Sequence, residues 1–180
     1  MLLTLQQRYV LDLLRQLKCL RQDQAGLLMR RAFPRRDGRE LSPGAADTIL
    51  RQLRHCTSDV LMEDGLVRLA CAEPNVQRLE AVDVMLELTD GRVQNISLGR
   101  EPPVLLRFVS GGERLRLFTI SDLDAVLPQA LSDIFRQKSE RLIWISGSGH
   151  APERLFLPPG HFFAARQEDG SHRFYSGDGS

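Results

Sequence analysis

Residues Ser42–Leu69 read SPGAADTILRQLRHCTSDVLMEDGLVRL, and this stretch decides the fold. Ser42 is a good N-cap, and Pro43 suits the first helical position, where its missing N–H has no helical partner to lose. Ala46, Ile49, Leu50 and Leu53 recur at helical spacing and form one apolar stripe. The opposite face carries Thr48, Arg51, Gln52 and His55. Beyond the helix, Val60–Met62 and Leu66–Leu69 flank Glu63-Asp64-Gly65. An Asp-Gly pair between apolar runs predicts a tight hairpin. A helix followed by a two-stranded wing is the reading half of a winged helix-turn-helix. Modules of that shape contact DNA, and they also serve as protein-docking surfaces.

Upstream, the pattern supplies the helices such a module needs. Thr4 can cap a first helix running to about Lys18, with Val10, Leu13, Leu14 and Leu17 inward and Gln7, Arg8, Asp12 and Arg15 toward water. A second, shorter helix spans Arg21–Arg31, with Ala25, Leu28, Met29 and Ala32 as its inner stripe. Asp23 lies in its first turn, where negative charge is favoured. Phe33-Pro34 ends it, and the loop Arg35–Leu41 leads to the third helix. That loop is basic: Arg30, Arg31, Arg35, Arg36 and Arg39 fall within ten positions. It reads equally as a solvated charged loop or as a phosphate clamp beside a recognition helix.

Charge is distributed unevenly along the 180 residues. The net formal charge is +1, yet residues 1–73 carry +3 and the remainder −2. The imbalance leans toward nucleic acid for the first part and excludes a strongly basic overall field. Cys19, Cys56 and Cys71 share no metal-type spacing, so they read as buried free thiols of a reducing cytoplasm. The opening MLLTLQQRYVLDLL is interrupted by Arg8 and Asp12, which argues against a signal peptide, and no apolar run reaches transmembrane length.

Ala72–Asn75, with Pro74, marks the expected boundary between a domain of residues 1–73 and one of 74–180. The segment VQRLEAVDVMLEL that follows fits both a strand alternation and a helix face. Its length and the leading Glu73-Pro74 favour a helix ending near Thr89, with Asp90-Gly91 as its stop. Strands are expected at Val93–Leu98, Val104–Val109 and Leu115–Ile120, the last two joined by a turn at Gly111-Gly112. Ser121-Asp-Leu-Asp124 resembles a capping box opening a helix toward Gln137, interrupted at Pro128. Arg141–Ser146 (RLIWIS) reads as a central strand. Leu155–Leu157, Phe162–Arg166 and Arg173–Tyr175 follow as further strands, with a turn at Asp169-Gly170 and a frayed tail from Ser176 to Ser180. The fold class is therefore α+β, a winged helix-turn-helix followed by an αβββαβ arrangement with extra C-terminal strands.

Leu3-Thr4-Leu5-Gln6-Gln7, Gln24, Leu50–Leu53, Asp64-Gly65, Pro103–Phe108 and Arg141–Ile145 together resemble the plasmid replication-relaxation proteins, and more closely an uncharacterised relative associated with bacterial mobile elements. The resemblance implies a winged helix joined to a restriction-endonuclease-like domain. Active domains of that kind use Pro-Asp at the start of one core strand and Glu-x-Lys on the next, to hold a divalent metal that activates water. The matching positions here are Pro103-Val104 and Arg116-Leu117-Phe118, which lack the carboxylates. No metal, cofactor or catalytic residue is therefore assigned, and the chain is read as a non-enzyme. Asp83 and Glu87, four apart on a helix, read as a solvated face.

Other chemistry is weaker. His55, His150, His161 and His172 are scattered. His150 in SGSGH invites a hydrolase reading through Ser146 or Ser148, but no acid partner can be assigned. Gly147-Ser-Gly149 matches no phosphate-binding fingerprint. Phe162, Phe163, Phe174, Tyr175 and Trp144 read first as core residues. The expectation from sequence is thus a DNA-binding accessory or regulatory protein. Thr48, Arg51, Gln52, Arg54 and His55 would meet duplex DNA, with Arg35, Arg36 and Arg39 on phosphates, and a homodimer would be the binding unit. Asp47, Glu63 and Asp64 near that face count against it. The alternatives are a protein-docking subunit without DNA binding and, less favoured, a metal-dependent nuclease using carboxylates not yet placed.

Overall fold

A computed structural model describes residues 2–34, 38–111, 114–125, 140–146, 157 and 159–176. The fold is α+β: the described residues form four α-helices and two sheets. The chain divides into two compact units, Met1–Leu86 with Asp90–Arg92 and Glu87–Thr89 with Val93–Ser180.

The first unit runs α1 (Leu5–Leu17), β1 (Cys19–Arg21), α2 (Gln22–Ala32), α3 (Pro43–Cys56), β2 (Val60–Glu63) and β3 (Leu66–Leu69), then enters α4 (Val76–Thr89). Thr4 starts α1 through a reciprocal cap. Its hydroxyl accepts from the Gln7 N–H at 3.2 Å, and its own N–H donates to Gln7 Oε1 at 2.9 Å. Gln7 is consequently buried, not water-facing as its helical position suggested, and its amide nitrogen lies 3.9 Å from Cys56 Sγ. Lys18, at φ 69°, ends α1. The strand β1 was not anticipated: three residues between two helices are too few to show an alternation. It pairs antiparallel with β3, giving the sheet order β1-β3-β2.

The hairpin follows its local chemistry. Met62 faces Val67 and Glu63 faces Leu66, leaving Asp64 at φ 49° and Gly65 at φ 75° as a two-residue turn. Leu50 and Leu53 of α3 are fully buried with Val10, Leu14, Leu20, Leu28, Met29 and Val67, and α3 packs on both α1 and α2. The three thiols differ. Cys19 is buried, Cys56 half-buried and Cys71 exposed, so the expectation of uniformly buried cysteines fails at Cys71, on the turn after β3. Burial raises the Cys19 thiol pKa, with Arg68 pulling it partly back.

The helix α4 is capped by Asn75, whose side chain accepts from the Arg78 N–H at 2.9 Å, and ends at left-handed Asp90. Most of α4 groups with the first unit, and side chains of α2 bind it there. Gln24 Nε2 donates to the Leu79 carbonyl at 2.8 Å, and Arg21 pairs with Asp83. Asp83 is therefore an ion-pair partner and not part of a solvated face.

The second unit is a six-stranded sheet in sequential order: β4 (Gln94–Leu98), β5 (Val104–Ser110), β6 (Arg116–Asp122), β7 (Glu140–Ile145), β8 (Phe162–Arg166) and β9 (His172–Ser176). The pairs β4–β5, β5–β6 and β8–β9 are antiparallel, whereas β6–β7 and β7–β8 are parallel. The strand β6 continues through Ser121 and Asp122 into a single 3₁₀ turn, Leu123–Ala125. Ser121 thus closes a strand instead of capping a helix. The rest of that expected helix, the 147–149 loop, Leu155 and the tail beyond Ser176 lie outside the described residues. Leu142, Trp144, Leu157, Phe163 and Ala165 form a buried cluster, with Leu123 packed against it. Tyr175 departs from the core reading. It is 40% exposed on the edge strand β9, with the Arg173 guanidinium 5.4 Å from its ring centre.

Candidate nucleic-acid interface

The apolar stripe of α3 fixes which side chains it offers to solvent. Ser42 accepts from the Ala45 N–H at 3.3 Å, and Pro43 opens the helix. With Ala46, Leu50 and Leu53 turned into the core, Thr48, Arg51, Gln52, Arg54 and His55 are all exposed. Thr48 donates its hydroxyl proton back to the Gly44 carbonyl at 2.9 Å. Arg51, Gln52, Arg54 and His55 have no side-chain hydrogen bond or ion pair to a described residue. Two guanidiniums, an amide and an imidazole are thus available on one helix surface. Asp47, one turn before Arg51, is also exposed and offsets part of the charge.

The arginine-rich loop contributes less than its composition suggested. Arg31 is held between Glu40 and Asp90, so its charge is already balanced. Arg30 is half-buried. Arg39 is exposed and not free of partners, and Arg35 and Arg36 lie outside the described residues. The β2–β3 turn is acidic. Arg68, the one arginine of the hairpin, pairs with Glu63 and donates to the Ala72 carbonyl at 2.9 Å. Asp64 remains exposed at the tip. The cationic surface is therefore carried by α3 and not by the hairpin.

In the second unit, strand register separates the two positions matched to a nuclease pattern. Val104 lies opposite Ser121, whereas Arg116 lies opposite Ser110 at the other end of the β5–β6 pair. Pro103-Val104 and Arg116-Leu117-Phe118 do not meet. Beside Val104 the sheet instead places Thr119 hydrogen-bonded to Glu140, with Arg107 Nε 3.7 Å from the same carboxylate. These residues line a cavity of about 150 Å³ with Pro103 and Ser121. Among the described residues, no group of three or more His, Cys, Asp or Glu side chains is placed to hold a metal.

Other candidate groups acquire local partners. Glu87 accepts from the His172 backbone N–H and contacts His172 Nδ1, both at 2.9 Å, so Asp83 and Glu87 serve separate pairs. His161 Nδ1 accepts from the Leu142 N–H at 3.1 Å. Burial lowers the His161 pKa, and the nearby Arg141 lowers it further. Ser146 donates to both carboxylate oxygens of Asp124 at 3.1 Å, an acid neighbour invisible in the sequence. Its suggested partner His150 lies outside the described residues. No helix among the described residues is long and apolar enough to cross a membrane. Compared with known protein families, curated proteins and solved structures, the chain gave no match.

Proposed function

We propose that the first unit is a winged helix-turn-helix that lays α3 in the major groove of duplex DNA. The observation that carries this reading is the set of unengaged polar side chains on α3, Arg51, Gln52, Arg54 and His55, opposite a fully buried stripe. Arginine and glutamine can pair bidentately with guanine and adenine, while a neighbouring guanidinium neutralises phosphate. The order helix, strand, helix, helix, hairpin and the sheet order β1-β3-β2 support the winged-helix reading.

The second unit is read as a restriction-endonuclease-like domain without catalytic function, used for assembly. Support comes from α4, the antiparallel run β4-β5-β6 and a parallel β7. The positions matched to Pro-Asp and Glu-x-Lys neither carry the carboxylates nor meet. In this reading the chain is a DNA-binding accessory or regulatory protein of a bacterial mobile element, related to the replication-relaxation proteins and working in the cytoplasm. A homodimer offering two copies of α3 compensates for the small charge excess. A second reading, protein docking through the same unit, is favoured by the acidic hairpin tip at Glu63-Asp64.

The two readings separate on one pair of substitutions. The double variant Arg51→Ala/Arg54→Ala removes exposed side chains and leaves the core intact. It should keep the native circular dichroism and bind a random-sequence duplex more weakly than the parent chain at about 50 mM salt, with a flatter salt dependence. Equal binding by parent and variant would overturn the assignment of α3.

A further inference from the structure

A cleft of about 550 Å³ in the second unit has chemistry that neither the winged-helix reading nor the assembly role uses. Its charged rim is Arg114 and Arg116, its hydroxyls belong to Thr89 and Ser110, and Leu88 and Phe118 supply its apolar wall. Arg114 and Arg116 are both exposed and have no hydrogen bond or ion pair to a described residue. Two like charges sharing one cleft repel each other, and an anion between them removes that cost. The guanidinium fork matches phosphate geometry.

The site is built rather than incidental. Gly111, at φ 142°, permits a close backbone approach, since a Cβ there would collide with the Arg114 carbonyl. Phe118 is locked by a parallel stack on Phe108, with ring centres 5.1 Å apart and planes 6° from parallel. Its half-exposed ring borders the cleft, and an aromatic wall beside a cationic rim is how bases and phosphates are held together. The volume lies in the range of small-molecule sites and is more than a bare phosphate needs. The C-terminal end of α4 at Leu88 and Thr89 carries partial negative charge, which disfavours a polyphosphate and suits a base with N–H donors.

We propose that this cleft binds a nucleoside monophosphate unit, with phosphate between Arg114 and Arg116 and the base against Phe118. The unit can come from a free nucleotide or from the 5′ end of a nucleic-acid strand. Titration calorimetry on the full chain distinguishes the sources, using AMP, adenosine, inorganic phosphate and a short 5′-phosphorylated single strand with its unphosphorylated counterpart. AMP should bind at least about tenfold more tightly than adenosine or phosphate alone, the size of one charge-assisted hydrogen bond. Arg116→Gln should remove about that factor, and Arg116→Lys should recover part of it. A preference confined to the phosphorylated strand, and lost in Arg116→Gln, would support the strand end as the source. Indifference to the phosphate on both ligands, or AMP binding unchanged in Arg116→Gln, would overturn the proposal. If Arg116→Gln lowers the melting temperature, Arg114→Gln provides the same test from the turn.

Discussion

The Gln24 side chain of α2 donates to the Leu79 carbonyl of α4 at 2.8 Å. The same amide nitrogen reaches Asp83 Oδ1 at 2.5 Å, and Gln24 Oε1 accepts from the Arg21 N–H at 2.9 Å. With 1% exposure, this residue is a fully satisfied buried amide. Gln24→Leu keeps the volume, strands the Arg21 N–H, and takes one donor each from Asp83 and from the Leu79 carbonyl, which keeps its bond within α4. A loss of about 1–3 kcal/mol in urea unfolding is expected. A loss under about 0.5 kcal/mol, the range of surface substitutions, would mean these bonds hold nothing together.

Leu53 tests the assignment of the α3 faces. It is completely buried among helices of the first unit. Leu53→Ala should destabilise by about 2–5 kcal/mol, the range for buried leucine truncation. A near-neutral result would place the wrong side of α3 in the core and so remove the basis for its exposed polar set.

His161 gives the second unit a pH signature. Its Nδ1 accepts from the Leu142 N–H, so the imidazole must be neutral, and burial with Arg141 nearby holds its pKa below 6.5. The unfolded chain takes up the proton first as pH falls. Stability from this group is therefore complete above the unfolded pKa and declines as pH drops from about 6.5 toward the lower folded value. Asparagine keeps an acceptor near Nδ1 without titrating. The melting temperature of the parent chain should fall relative to His161→Asn between pH 7.5 and 5.5, values taken roughly one unit either side of a free histidine. A constant difference across that window would contradict the neutral assignment.

Local signals made part of the fold readable. Ser42-Pro43 and Asp64-Gly65 act through their own backbone geometry, so the α3 cap and the hairpin turn were legible from neighbouring residues alone. The strand β1 was not, because Cys19-Leu20-Arg21 becomes a strand only through β3, more than forty residues away. Register hid still more. Nothing in the sequence says that Val104 faces Ser121, so the two segments aligned with a nuclease pattern, both without its carboxylates, stand apart on the sheet. The exposed set on α3 was legible because helical periodicity alone decides it. The engagement of Arg31 by Glu40 and Asp90, and of Arg68 by Glu63, depends on tertiary approach.

Asp64 offers a gain-of-binding test. It is exposed at the hairpin tip and has no arginine partner among the described residues, unlike Glu63. Asparagine tolerates positive φ, so Asp64→Asn should preserve the turn while removing a charge that repels phosphate. Duplex binding should tighten by roughly 0.2–1 kcal/mol at low salt, and the gain should vanish at high salt. Weaker binding would show that the hairpin tip makes a favourable contact through its carboxylate.

The most direct measurement is the salt dependence of the full chain binding to random duplex DNA. Cationic α3 on a phosphate backbone predicts that log K falls linearly with log salt, with a slope near −0.9 per phosphate neutralised. Arg54→Ala should flatten that slope by about 0.9 on every duplex, and Arg51→Ala should cost about 1–3 kcal/mol chiefly on a preferred sequence. Absence of any salt-sensitive binding at about 50 mM salt, with protein at tens of micromolar, would contradict the DNA reading and leave protein docking as the function of the first unit.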